Sequence, residues 1–307
     1  MQAPASRTWR PMWPCNVAEV LAPLRHGRAD PTYHSAADGS HWRAVRTPEG
    51  PGTLQVLGEP ATGTVVGRAW GPGAAWLLDA LPRMLGADDD PDGFEPRHAV
   101  LVELWRHHRH LRIGATGLVM ESLVPAVIEQ KVTGQEAFAA FRRLVRRYGD
   151  TAPGPGADLG LRVQPSPEQL RAVPSWEWLR LPVDGARSRP IQLAARVAPA
   201  LERASRATPA EFDRRVRTIP GIGVWTSAET RSRALGDPDA VSFGDYHVAR
   251  DIGWALVGAE LDDDGLAELL VPYEGHRLRV QRLVERAGLH RPRRGPRMAP
   301  RTHLPVR

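Results

Sequence analysis

The 307-residue chain holds one cysteine, Cys15, and one lysine, Lys131. A lone cysteine excludes an internal disulfide, a cysteine-ligated iron–sulfur cluster and a four-cysteine zinc site. No apolar run reaches the roughly 18 residues a bilayer-spanning helix needs. The opening residues MQAPASRTWRPMW also lack the apolar core of a secretion signal. A cytoplasmic protein without membrane contact is therefore expected. Phosphate-cradling fingerprints are missing too: Gly221-Ile222-Gly223 has no third glycine and follows no strand.

Hydrophobic residues make up 42% of the chain, enough at this length for a sizeable core and two domains. Its 29 glycines and 29 prolines are dispersed, so the composition is globular rather than low-complexity. The net charge of +6 is carried almost wholly by arginine. It suits a polyanionic partner and equally an arginine-rich composition.

Residues 1–95 read as a small α+β unit. Val17, Val20, Leu21 and Leu24 have helical spacing within 16–26. Four short strands follow at 32–35, 42–47, 53–57 and 64–69, separated by Gly- and Pro-containing turns, and a helix over 73–85 closes the unit. Such an order predicts helices on one face of an antiparallel sheet. Residues 86–96 (GADDDPDGFEP) read as an acidic linker, and 96–289 as a helical domain, making the whole mostly α. One long amphipathic stretch covers 122–148, and another helix covers 191–204. Ser166-Pro167-Glu168-Gln169 and Thr208-Pro209-Ala210-Glu211 are helix starts with capping-box chemistry. The tail, 290–307, has six arginines and no acid, and is expected to be disordered and to add nonspecific phosphate affinity.

The informative stretch is 208–234. A capped helix ends at Thr218-Ile219, Pro220-Gly221-Ile222-Gly223 turns the chain, and a second helix begins near Val224-Trp225-Thr226. The glycines permit positive φ and close backbone approach. Ile219 and Ile222 can point inward, and unpaired N–H groups at the new helix start form a phosphate site that reads no base. About twenty residues on, Asp245 follows a β-prone run and Gly244 and precedes a helical pattern through Val248, Ile252 and Leu256. Its position reads equally as a helix N-cap and as a catalyst, and the two are compatible.

Hairpin, spacing and aspartate together resemble the helix-hairpin-helix DNA glycosylases, and the pair Asp245-Tyr246 with Trp225 resembles the 3-methyladenine glycosylase II branch. Residues 113–148 resemble the first long helix of that glycosylase domain, and 9–72 its accessory α/β domain. The resemblance implies an enzyme that flips a damaged base, such as an alkylated purine, out of double-stranded DNA and hydrolyses its glycosidic bond. Asp245 takes the catalytic position. Pro220, Gly221, Ile222, Gly223 and Thr226 would hold the DNA backbone. Ile113 would wedge into the gap, although a core isoleucine is an equal reading. Trp225, Tyr246 and Tyr273 would line the base pocket, with core packing as the competitor for each. Where bifunctional relatives carry a lysine this chain has Trp225, which forms no Schiff base, so hydrolysis without lyase chemistry is implied. No cofactor is expected beyond a monovalent or divalent cation at the hairpin, and some relatives' iron–sulfur cluster is excluded. A monomer associated with the nucleoid is implied. The chain departs from the pattern at 181–187, where relatives often have a more regular turn, and at 272–277, where PYEGHR replaces a Trp-rich segment.

Other constellations read as ordinary surface or core. His107-His108-Arg109-His110 is not accompanied by carboxylates or cysteines at ligand spacing and reads as a solvated or phosphate-facing basic patch rather than metal ligands. The triplets at 88–90 and 262–264 read as solvated turn acids, and Trp176 and Trp178 as packing residues. The competing functions are a glycosylase for uracil or an oxidised purine, separated by a lesion panel, and an inactive DNA-binding protein, separated by base release. A helical structural protein would lack steep salt dependence of duplex binding.

Overall fold

The computed structural model describes residues 4–292. The amino-terminal part is a five-stranded antiparallel sheet: β1 (Ala5–Trp9), β2 (Tyr33–Ser35), β3 (His41–Thr47), β4 (Gly50–Glu59) and β5 (Thr64–Trp70), in spatial order β1-β5-β4-β3-β2. β1 was not expected from the sequence. It is short, carries little apolar alternation, and is held by pairing with β5 from Ala5↔Ala69 to Trp9↔Val65. The other strands form where alternating apolar residues were expected, because one sheet face is covered. Leu54, Val56 and Val65 pack there against Leu77, Leu81 and Met84 of the helix Ala74–Met84 and against Leu21.

Helices dominate after that. The expected continuous helix over 122–148 is two helices, Val119–Ile128 and Gly134–Tyr148. The break comes at Lys131, which sits at φ 54°, and at Thr133, whose hydroxyl and Glu136 form a reciprocal capping box that starts the second helix. Helix Val119–Ile128 is buried along nearly its whole length and forms the spine of the largest core, with Phe141, Leu144, Ile191, Phe212 and Val216 around it. The irregular segment 181–187 ends in a defined cap: Asp184 accepts from Arg187 N–H and starts helix Gly185–Arg196. A further helix, Ala198–Ala204, follows where one run over 191–204 was expected, with Pro at its start. A third core joins Leu101, Val241, Ile252, Leu266 and Leu283.

The acidic stretch after the sheet unit is more than a solvated connector. Asp89 is 1% exposed and pairs at 2.7 Å with Arg279, itself 0% exposed. Its other oxygen accepts from Ile113 N–H at 2.9 Å. Arg279 also donates to Leu111 O and lies over the Trp105 ring. The sequence reading of Asp89 as solvated is thereby overturned, because helix Arg277–Arg286 brings a cation to it from far along the chain. Asp262 caps helix Asp263–Leu270. The basic tail from residue 293 onward lies outside the described residues. Among the described residues no helix is long and apolar enough to cross a membrane.

Candidate active site

The hairpin forms as its residue types dictate. Thr208 Oγ1 accepts from Glu211 N–H, and Pro209 starts helix Pro209–Val216. Phe212 and Val216 anchor that helix in the core, joined by Ile219 and Ile222, and the Ile222 N–H donates to Ile219 O at 3.0 Å to close the turn. Gly221 takes φ +92°, and a Cβ there would stand 2.3 Å from Pro190 Cγ, so both conformation and space require glycine. Gly223 differs from the expectation. Its backbone is extended (φ −99°, ψ −173°), it caps helix Val224–Ala234, and no atom would meet an added Cβ within 4 Å. Gly221 and Gly223 are both exposed. Among the described residues no acceptor takes the N–H groups of Gly223, Val224, Trp225 or Thr226. Four free donors at the positive end of a helix, beside open space, make an anion site.

Two side chains lock this turn that sequence reasoning missed. Gln130 Nε2 donates to Gly221 O at 3.0 Å and to Thr226 Oγ1 at 2.7 Å. Ser227 Oγ donates to Asp213 Oδ1 at 2.6 Å, joining the two hairpin helices. Nothing local to Gln130 announces this role; it comes from the end of a helix some ninety residues earlier. Thr226 is only 2% exposed, so its hydroxyl is a structural acceptor and only its backbone N–H remains for a ligand.

Asp245 lies in the turn ahead of helix Val248–Val257, after Gly244 at φ +88°. Its Oδ1 accepts from His247 N–H at 2.7 Å and Val248 N–H at 3.2 Å. Its Oδ2 has no hydrogen-bond partner among the described residues. The capping reading is therefore realised on one oxygen, while the residue lines a cavity of about 350 Å³. Around that cavity stand Glu129, Trp225, Glu229, Arg282 and His290. Burial would raise the Glu229 carboxyl, but Arg233 and the Ser242 hydroxyl outweigh it and hold it below the usual range. Asp251 is bonded to His290, and Glu285 to Arg282. Glu129, at the end of helix Val119–Ile128, has no arginine within ion-pair distance and is bonded to His26 Nδ1 at 3.2 Å. Of the lining carboxylates without an arginine side-chain partner, Glu129 and Asp251 are each bonded to a histidine, and Asp245 accepts only from backbone N–H groups. Sequence reading missed Glu129.

A second cavity, of about 200 Å³, lies between the sheet unit and the helices, lined by Arg43, Glu121, Glu202 and Arg233 among others. Burial raises the carboxyls of Glu121 and Glu202. Arg43 partly offsets the first, and the N–H groups of Met120 and Val119 the second. Neither Asp245 nor the hairpin touches this cavity.

Three expected site residues stand elsewhere. Ile113 is 8% exposed, pinned through its N–H by the buried Asp89, and packs rather than projects. Tyr273 is 2% exposed; its hydroxyl meets His98 Nδ1 at 2.5 Å and its ring packs on Phe94, so it belongs to the core. Tyr246 is 64% exposed, with its ring under Arg250 at 4.4 Å, on the outer surface rather than the cavity wall. Trp178 packs as expected at 1% exposed, but Trp176 is exposed. Lys131 is exposed on the turn next to Gln130 and does not line the Asp245 cavity.

Neither the protein-family models nor the curated proteins give a match to this sequence. Solved structures do. A 3-methyladenine DNA-glycosylase from Archaeoglobus fulgidus superposes at TM-score 0.74 with 18% identity, covering 91% of this chain and 97% of that one. An 8-oxoguanine glycosylase/lyase from Clostridium acetobutylicum, in complex with double-stranded DNA containing cytosine opposite 8-oxoG, gives 0.68 with 11% identity, covering 94% and 98%. A 3-methyladenine DNA glycosylase from Schizosaccharomyces pombe, in complex with abasic DNA, gives 0.51 with 16% identity over 69% of this chain and 97% of that one. Hairpin, sheet unit and helical bundle together give this chain the fold of these solved DNA glycosylases.

Proposed function

We propose that this chain is a DNA glycosylase that hydrolyses the N-glycosidic bond of an alkylated purine extruded from duplex DNA. The observation that carries the reading is the placement of Asp245: one oxygen is fixed by two backbone N–H groups, and the residue lines the cavity whose rim includes Trp225, from the first turn after the hairpin. The free N–H groups of the hairpin would grip a phosphate beside the lesion, and the extruded base would enter the cavity. Trp225 offers an electron-rich face to a cationic base. Asp245, whose side chain accepts only from backbone N–H groups, adds negative charge to the cavity wall, which favours a positively charged base over a neutral one. As the bond to the departing base lengthens, Asp245 stabilises the positive charge on the sugar and orients the attacking water. An alkylated purine is already a good leaving group, so one carboxylate at the sugar suffices. Strand cleavage through a Schiff base is not expected, because the only lysine lies outside the cavity.

An oxidised purine is the second reading, favoured by the likeness to the 8-oxoguanine enzyme. Duplex oligonucleotides carrying single 3-methyladenine, 7-methylguanine, 8-oxoguanine or uracil lesions decide the matter, with free base and strand scission measured separately. The expected result is release of the methylated purines with no scission until alkali is added. Release of 8-oxoguanine alone would replace the alkylpurine assignment, and release of none would sink the enzymatic one.

A further inference from the structure

The histidine run that the DNA-facing site does not absorb has a use of its own. His107 faces solvent and is bonded to Glu103 at 2.8 Å, as a surface basic residue would be. His108 and His110 stand with Glu19 of helix Val17–Leu21, far away in sequence, and one donor atom from each of the three lies within 4.8 Å of the others. His110 Nε2 is 3.4 Å from Glu19 Oε2. The imidazole rings stand 5.9 Å apart, inclined at 61°. The Glu19 side chain is 6% exposed, and neither carboxylate oxygen accepts a hydrogen bond among the described residues. Its remaining neighbour is Arg286, whose Nε is 2.9 Å from Oε1 but donates to His108 Nδ1 at 3.1 Å. The nearly buried carboxylate is ion-paired with Arg286 and faces two imidazoles, yet neither of its oxygens accepts a hydrogen bond among the described residues, which leaves both oxygens able to ligate a metal cation.

We infer that Glu19, His108 and His110 form a binding site for a divalent transition metal of the zinc type, tying helix Val17–Leu21 to the loop after helix Ala99–His107. The donor set selects the metal: two imidazoles and one carboxylate suit zinc, whereas magnesium and calcium take oxygen ligands. Zinc–ligand bonds near 2.0–2.2 Å in a tetrahedron place donor atoms about 3.3 Å apart. Glu19 and His110 already stand at that spacing, and a side-chain rotation of His108 closes the wider separation. Water fills the fourth position. Arg286 is the competing cation; its side chain is 34% exposed and long enough to swing outward. The missing carboxylate was the reason to read the histidines as a plain basic patch, and the fold supplies it.

The test is titration of Zn²⁺ into the metal-free full-length chain against a chromophoric chelator. One zinc per chain is expected. His110→Ala and Glu19→Gln should each weaken binding by roughly tenfold or more, while His107→Ala leaves it unchanged and Arg286→Ala tightens it. His110→Ala sits on a loop and keeps the test alive if Glu19→Gln fails to fold. Binding that His110→Ala does not weaken overturns the assignment, as does an absence of binding in both the wild type and Arg286→Ala. The readout is metal affinity, so it stands or falls separately from glycosylase activity.

Discussion

The substitution Asp245→Asn separates the two roles that one aspartate holds. Asparagine keeps a side-chain oxygen where Oδ1 accepts from His247 and Val248 N–H, so the start of helix Val248–Val257 stays capped. The stability cost is then limited to the interaction of a negative charge with a helix N-terminus, about 0.3–1 kcal/mol. The charge facing the cavity is lost outright. If that charge stabilises a developing cation on the sugar, removing it costs about 2.7–4 kcal/mol of barrier, or roughly a 100- to 1,000-fold drop in rate. Asp245→Ala removes both functions and adds about 1 kcal/mol of destabilisation. Single-turnover base release with enzyme in excess over a methylated duplex gives the rate, thermal unfolding gives the stability, and gel-shift titration gives the affinity. The expected pattern for Asn is a lost rate with near-native melting and DNA binding. An Asn variant that excises like the wild type would leave Asp245 as a helix cap and nothing more.

Further outcomes follow from the same structure. Asp89→Ala strands the fully buried Arg279 guanidinium and should destabilise the fold by about 3–5 kcal/mol in denaturant titration. The double variant Asp89→Leu/Arg279→Met should recover most of that loss, and failure to recover would mean the ion pair is not the cause. Gly221→Ala forces a Cβ against Pro190 in a left-handed backbone region. It should cost about 1–3 kcal/mol and weaken duplex binding without favouring one sequence over another; unchanged binding would remove the hairpin from the DNA contact. Burial raises the Cys15 thiol to about 11 from an ordinary 9.0, with Arg112 partly offsetting and Glu19 adding. The folded state therefore prefers the protonated thiol. That preference contributes fully below the unfolded value of 9.0 and is lost as the pH rises through about 11. Thiol reagents at pH 8 should label native Cys15 far more slowly than the unfolded chain, and equal rates would contradict its burial.

Local chemistry written in neighbouring residues was legible in the chain itself. The capping threonine and proline before Phe212, the glycine that only a left-handed turn accommodates, and the isoleucines that close it all act within a few residues of one another. So do the alternating strands β2–β5, whose apolar faces signal a covered sheet. The absence of cysteine ligands and of a second lysine likewise needed no coordinates. Only tertiary structure decided which side chains meet across long separations. Gln130 holds the hairpin from another helix, Arg279 buries an aspartate that looked solvated, and Glu19 completes the histidine pair. It also decided which aromatic faces the cavity. Tyr273 and Ile113 are apolar enough for core or ligand alike, and nothing in their neighbours' identities distinguishes the two. Trp225 remains at the cavity because the hairpin places it in the first turn of helix Val224–Ala234, on the side where Asp245 stands. Residue type sets what a side chain can do. Which groups converge on one point depends on packing between elements far apart in the chain, and no local pattern records that.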